Sequence, residues 1–353
     1  MSTYKLIDNI VNGYKPNLEE VKGILDSSKD ETEYLFNAAD NIKKEIYGNE
    51  IHLRGIIEFS NYCRCLCEYC GLNGENNGIT RYRMELDEII ENAKEAIDAG
   101  YKTIVLQSGE DLWYTKDKIT YLIKEIKKLG DIAITLSVGE RHYEEYKAWR
   151  EAGADRFLIK HETADEKLYN KLHPHSSLKN RVQALKWLRE LGYEAGSGFM
   201  IGLPYQTTEI IAKDILLLKE LGVAMAGIGP FIPHPLTKLG NFQEGSILMT
   251  LKAVALSRII IKKINLPATT ALGVLAGNKV VGDGESDFIN PNLPFKSGAN
   301  VLMKKVEPYK YRALYDIYPK KQPKIKTILE ERKETEEFIE SMGFKVGKTK
   351  NPE

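Results

Sequence analysis

Outside one stretch of eight residues this 353-residue chain has no cysteine; Cys63, Cys65, Cys67 and Cys70 all lie in "EFSNYCRCLCEYCGL", residues 58 to 72. A secreted disulfide framework spreads its cysteines to cross-link distant parts of a fold. Four thiols packed together cross-link nothing, so they point to metal or redox chemistry in a reducing compartment. An excess of charge is also lacking, since 50 Lys and Arg balance 50 Asp and Glu. No global field then draws the chain to nucleic acid or to an anionic membrane. No apolar run approaches the roughly 18 residues of a membrane span. The opening "MSTYKLIDNIVNGYK" is polar and mixed, unlike a signal peptide. These absences lead us to expect a soluble cytoplasmic protein with neither nucleic acid nor membrane as a partner.

What is present supports a large core, with 42% hydrophobic residues. The first 47 residues read as helical, with Leu35, Ala38, Ile42 and Ile46 at helical spacing in "ETEYLFNAADNIKKEIY". An alternation follows. Strand candidates are "IHLRGIIEF", "KTIVLQ", "IAITLSV", "RFLIK", "AGSGFMIG", "AMAGIGP", "LPATTAL" and "GANVLM", and helical or loop segments separate them. Repeated "AG" and "LG" endings at Gly100, Gly130, Gly153, Gly192 and Gly222 fit glycine C-caps. Strands alternating with helices indicate an α/β fold with a parallel sheet, and eight such units over about 250 residues match a (β/α)8 TIM barrel. The alternative is an open doubly wound sheet. The expected organisation is N-terminal helices over 1–50, the barrel over 51–320 and a C-terminal helical tail over 321–353. In that tail a helix is expected from Pro323 to about Met342, with the remainder fraying.

The cysteines directly follow the first strand, where loops of an α/β barrel build active sites. Cys63, Cys67 and Cys70 are spaced C-x3-C-x2-C. Three thiolates on a 4Fe–4S cube leave one iron without a protein ligand, and a small chelating molecule can occupy it. Cys65 is then a bystander. A structural zinc site remains the competing reading, although its ligands usually come as two pairs well apart in sequence.

This spacing, with the aromatic Tyr69 just before the last cysteine, resembles the radical S-adenosylmethionine (SAM) superfamily. The resemblance implies that SAM chelates the open iron and is reductively cleaved to a 5′-deoxyadenosyl radical. An electron donor such as ferredoxin or flavodoxin is implied with it. "QSGED" (107–111), with Ser108, Gly109 and Glu110, resembles the superfamily's glycine-glutamate motif beside the SAM amino group. "TLSVGER" (135–141), with Ser137, ends the third strand, where the superfamily often binds ribose. Glu162 and Arg181 offer a carboxylate for an ammonium and a guanidinium for a carboxylate, a pair suited to the methionine end of SAM. "GIGPFIPHPLTKL" (227–239), with His234, could form a rigid wall. Histidines 142, 173 and 175 read as solvated.

The segments "HLRGIIEFSNYCRCLCEYCGL", "RYRM", "TIVLQSGED", "KHETA", "GFMIGLPYQT", "GIGPFIPHP", "PATTA" and "GANVLM" together resemble the HydE family of maturases of iron-only (FeFe) hydrogenase, over roughly residues 3 to 319. The resemblance implies a buried internal cavity and a small-molecule or organometallic substrate, an iron- and cysteine-containing precursor of the hydrogenase cluster. It also implies other hydrogenase maturases as partners. Thr269, Thr270 and Tyr311 fall where that family lines the substrate cavity, and Gln107 and Lys160 are grouped with them. The sequence departs from the family pattern in three places. No cysteine follows Cys70, so a second, peripheral cluster is excluded. Lys160 stands where arginine is usual and lacks the bidentate fork. Residues 276–297 make a long polar connection. Methylornithine synthase and pyridinol-cofactor maturases resemble the same barrel, and a zinc-stapled binding protein is the alternative from another class.

Overall fold

The computed structural model describes residues 1–278, 291–317 and 325–350. Three helices open it: α1 (Thr3–Val11), α2 (Leu18–Leu25) and α3 (Lys29–Tyr47). Each starts where a short polar side chain accepts from the exposed first turn. Ser2 accepts from Lys5 N, while Asn17 with Glu20 and Ser28 with Glu31 form capping boxes. The barrel follows as β1 (Glu50–Ser60), α4 (Leu86–Asp98), β2 (Thr103–Ser108), α5 (Lys116–Lys128), β3 (Ala133–Ser137), α6 (Tyr143–Glu151) and β4 (Arg156–Leu158). It continues through α7 (Glu166–Leu172), α8 (Leu178–Glu190), β5 (Glu194–Ile201), α9 (Thr208–Leu221), β6 (Met225–Pro230), α10 (Ile247–Ile261) and β7 (Pro267–Ala268). The described chain then gives α11 (Thr270–Asn278), α12 (Leu293–Lys296), β8 (Val301–Lys305), α13 (Tyr309–Arg312), α14 (Ile328–Ser341) and β9 (Lys345–Val346).

The strands lie in the order β6-β5-β4-β3-β2-β1-β8-β7, every neighbour parallel. Asn265 joins the two ends of this path at the bottom. It donates its N–H to Ala224 O at 2.9 Å and accepts from Ala226 N at 3.0 Å. The result is a nearly closed eight-stranded parallel barrel wrapped in helices, as expected from the alternation. Its packed outer layer places Ile104, Leu106, Ile134, Leu136 and Phe157 against helix residues such as Ile89, Ile119, Ile123 and Tyr146. Each fully buried side chain of this size contributes about 1.5–3 kcal/mol. The N-terminal helices pack on α9 and α10, burying Leu35, Phe36, Ala39 and Ile42 of α3.

Several local expectations change. Gly100, Gly153, Gly192 and Gly222 take positive φ at helix ends, but Gly130 does not. "RFLIK" is strand only as far as Leu158, and the helix expected near 310–317 is only Tyr309–Arg312. "LPATTAL" is strand for two residues only, because the Thr269 hydroxyl accepts from Leu272 N at 3.4 Å and α11 begins. The tail does not fray after its helix. Gly343, at φ +82°, turns the chain so that β9 pairs with the start of β1, and Arg156 donates to Lys350 O at 2.8 Å. The C-terminal segment therefore covers the bottom of the barrel and leaves the cysteine-bearing end free. The tail helix starts at Ile328; Pro323, the 320/321 boundary and residues 279–290 of the polar connection lie outside the described residues.

Candidate active site

The cysteine loop leaves β1 at Ser60 and crosses the C-terminal mouth of the barrel. Cys65 is buried, while Cys63, Cys67 and Cys70 are partly buried. Hydrogen bonding with Cys65, then burial, holds the Cys63 thiol well above its usual range. Burial pushes Cys70 up to about 12. Unligated, Cys63 and Cys70 therefore keep their protons, and iron must displace them. Among the described residues no three His, Cys, Asp or Glu side chains converge closely enough for a single metal ion, which disfavours the zinc staple. A cube makes a different demand, because each thiolate binds a separate iron. Three partly buried thiols on one loop, at the spacing C-x3-C-x2-C, fit it.

Three contacts from the α7–α8 connection hold the second half of this loop. Glu68 N donates to Leu172 O at 3.0 Å, Leu66 N to His175 Nδ1 at 3.0 Å, and Tyr69 Oη to His173 Nε2 at 2.9 Å. His173 is not solvated as expected; it is fully buried and stacked on Tyr169 at 4.2 Å. Its Nδ1 lies 3.1 Å from Tyr169 O and donates to it, which leaves Nε2 as the acceptor for Tyr69. Burial lowers its pKa to about 3, so it stays neutral. His142 and His175 are exposed.

The strand ends divide into two groups. Gly109 is not a gap for a ligand here, because a Cβ at this position would meet Tyr62 O at 2.2 Å and Cys63 Cβ at 2.9 Å. It lets β2 press against the first cysteine. The Glu110 carboxylate is ion-paired with Arg64 at 2.6 Å and accepts from Glu140 N at 2.8 Å. Ser108 donates to Gly109 O at 2.6 Å, and Ser137 closes β3 beside Gln107. Arg181 meets Glu140 at 2.6 Å and donates to Lys160 O. Glu162 sits at φ +61°, a left-handed backbone that a non-glycine residue pays strain to adopt. Its Oε2 lies 2.9 Å from Lys160 Nζ.

Below this mouth lies a cavity of about 260 Å³ inside the barrel. Of the residues singled out from sequence it brings together Tyr69, Gln107, Lys160, Glu162, Thr269 and Thr270. Pro230, Phe231 and Ile232 of the proline-rich segment form one wall. His234 is buried behind it and hydrogen-bonds Asp316 at 3.3 Å. Tyr311 does not line this cavity. It stacks on Tyr82 at 4.7 Å and donates to Glu88 at 2.8 Å. The sequence reading missed Arg54, which reaches the cavity from β1, and burial lowers its pKa to about 9. Only the inward phase of β1 signals it, one residue before the outward-facing Gly55. The three methionines 200, 225 and 303 also line the space.

A parallel barrel with a thiol loop at its mouth and a cavity beneath is the arrangement of a radical SAM enzyme. The radical SAM superfamily model matches residues 57–218, and the chain belongs to that superfamily. It is 50% identical over 289 residues, 82% of this chain and 80% of the relative, to the [FeFe] hydrogenase maturase subunit HydE of Thermotoga maritima. It is 31% identical over 273 residues, 76% of this chain and 77% of the relative, to the 3-methylornithine synthase of Methanosarcina acetivorans. Among solved structures it matches methylornithine synthase (PylB) with a TM-score of 0.81 and 27% identity, over 97% of each chain. It also shares the fold of the [FeFe]-hydrogenase maturase HydG, with a TM-score of 0.79 at 19% identity, over 98% of this chain and 76% of that one. The protein is thus an enzyme that uses a 4Fe–4S cluster and SAM, takes electrons from a donor and acts on a small molecule. No described helix is long and apolar enough to cross a membrane.

Proposed function

We propose that the enzyme acts in maturation of the FeFe-hydrogenase active-site cluster, on an iron- and cysteine-containing precursor held in the barrel cavity. The observation that carries this reading is 50% identity to a HydE over 82% of the chain, a span far beyond the cysteine loop. Cys63, Cys67 and Cys70 hold the cluster. Bound there, cluster and SAM supply a 5′-deoxyadenosyl radical when an electron arrives from ferredoxin or flavodoxin. Tyr69, fixed by the buried neutral His173, keeps the loop in place. Glu162, just past β4, and Arg181, in the first turn of α8, grip the ammonium and carboxylate of SAM, with Ser108, Glu110 and Ser137 completing that side. Lys160, Gln107, Thr269 and Thr270 line the substrate space and exclude water from it. Other hydrogenase maturases receive the product, in the reducing cytoplasm.

The test is anaerobic in vitro maturation of apo-hydrogenase with SAM, a reductant and the other maturases. Active hydrogenase supports the reading. SAM cleavage with no active hydrogenase, together with formation of methylornithine, moves the enzyme to the sister function. A narrower expectation concerns SAM itself. A charged hydrogen bond contributes on the order of 1.5–3 kcal/mol, so Glu162→Gln or Arg181→Met weakens SAM binding roughly tenfold or more. Calorimetric titration of the cluster-loaded variants reads this directly, and unchanged affinity makes that residue a structural partner only.

A further inference from the structure

The thiols assigned to the cluster each face an N–H donor. Glu110 N points at Cys63 Sγ at 3.3 Å, and the backbone at Leu72 serves Cys70. Cys67 differs, because its donor is a side chain. His175 Nε2 lies 4.0 Å from Cys67 Sγ. The orientation of that ring is set from its other side, where Leu66 N donates to Nδ1 at 3.0 Å. A ring nitrogen that accepts an N–H carries no proton, so the single proton of the neutral imidazole is on Nε2, facing the sulfur. The ring cannot drift far. His173 and Leu172, two and three residues earlier, are tied to Tyr69 and Glu68 of the same loop.

We propose that His175 is a positioning residue that sets the reduction potential of the cluster through an N–H···S hydrogen bond to Cys67. The proposal rests on Cys67 being a cluster ligand. An N–H aimed at a ligand sulfur stabilises the extra electron density that the sulfur carries after reduction, so it raises the potential. The same neutral ring adds no net charge. Two of the three donors are backbone groups that mutation cannot remove. His175 is the adjustable one.

The experiment is an anaerobic redox titration followed by electron paramagnetic resonance on the cluster-loaded enzyme. Native protein, His175→Leu and His175→Gln are compared at one pH, each with its iron and sulfide content. The expected result is a lower midpoint potential in His175→Leu at full iron content. Glutamine keeps a terminal N–H at similar reach, so His175→Gln returns toward the native value. A second reading uses native enzyme carrying 15N-histidine, whose reduced cluster should show a 15N coupling that His175→Gln loses. An unchanged midpoint in a fully loaded His175→Leu overturns the proposal, as does an equal shift in both variants. If the leucine variant fails to hold a cluster, the 15N signal decides, and its absence from native enzyme overturns the proposal. A native enzyme without any cluster overturns the ligand assignment, and the proposal with it, which separates that failure from the others.

Discussion

Replacing Cys63, Cys67 or Cys70 by alanine abolishes cluster assembly and SAM cleavage, whereas Cys65→Ala retains both. The reason lies in counting ligands. A cube with three protein thiolates keeps one iron open for SAM. Removing one of the three leaves two open irons and a cluster that dissociates. Cys65 has a different place in the loop. Its side chain is buried, and its carbonyl accepts from Gly74 N at 2.7 Å. Alanine keeps that backbone bond, and losing a buried sulfur costs about 1 kcal/mol of packing. Iron and sulfide analysis, the optical spectrum near the thiolate-to-iron bands and 5′-deoxyadenosine formation are the measurements. A Cys65→Ala enzyme without cluster, beside a loaded Cys63→Ala, would falsify the ligand assignment.

The cysteine loop was readable because its information is local. Three thiols in one loop carry their spacing in the sequence, and the strand before them places the loop at the barrel mouth. The eight-unit alternation is readable for the same reason wherever a strand or helix runs five residues or more, as in β1, β2, β3, β5, β6 and β8. The losses occur where the partner comes from another strand end. Arg181 reads as the partner of Glu162 for the methionine end of SAM, and only the fold brings Glu140 to 2.6 Å from it. His173 and His175 lie in "LHPHSS", which looks like a polar turn. Their roles depend on residues 66 to 69, about a hundred positions away. Thr269 and Thr270 read as part of the strand "LPATTAL", but a two-residue strand is too short for period-2 patterning to separate it from a helix start. The tail strand is equally short, and its pairing with β1 is set by an edge that only the folded barrel presents. Tyr311 stands on resemblance alone, and the short α13 turns it toward Glu88.

Gly109→Ala should leave the barrel folded and all four cysteines present, yet lose most of the cluster. Gly109 N donates to Ser60 O at 2.9 Å, which holds the end of β2 against the start of the cysteine loop. At that separation an added methyl would sit 2.2 Å from Tyr62 O and 2.9 Å from Cys63 Cβ. The first contact is with backbone, which has no rotamer to move to, so the loop itself must shift. Inserting a methyl into so tight a contact costs about 1–3 kcal/mol, and the strain falls on the residues that carry Cys63. Gly23→Ala is the control. Gly23 lies inside α2 with nothing within 4 Å of its added Cβ, and alanine in a helix interior is more stable by roughly 0.5–1 kcal/mol. The pair is compared by circular dichroism, thermal midpoint, iron content and SAM affinity. The outcome also decides what this glycine is for. If it served to admit SAM, the alanine enzyme would carry a full cluster and bind SAM weakly. If it serves to seat the cysteine loop, as the Tyr62 contact requires, iron is lost first and SAM binding goes with it. A fully loaded Gly109→Ala enzyme with native SAM affinity would contradict both accounts.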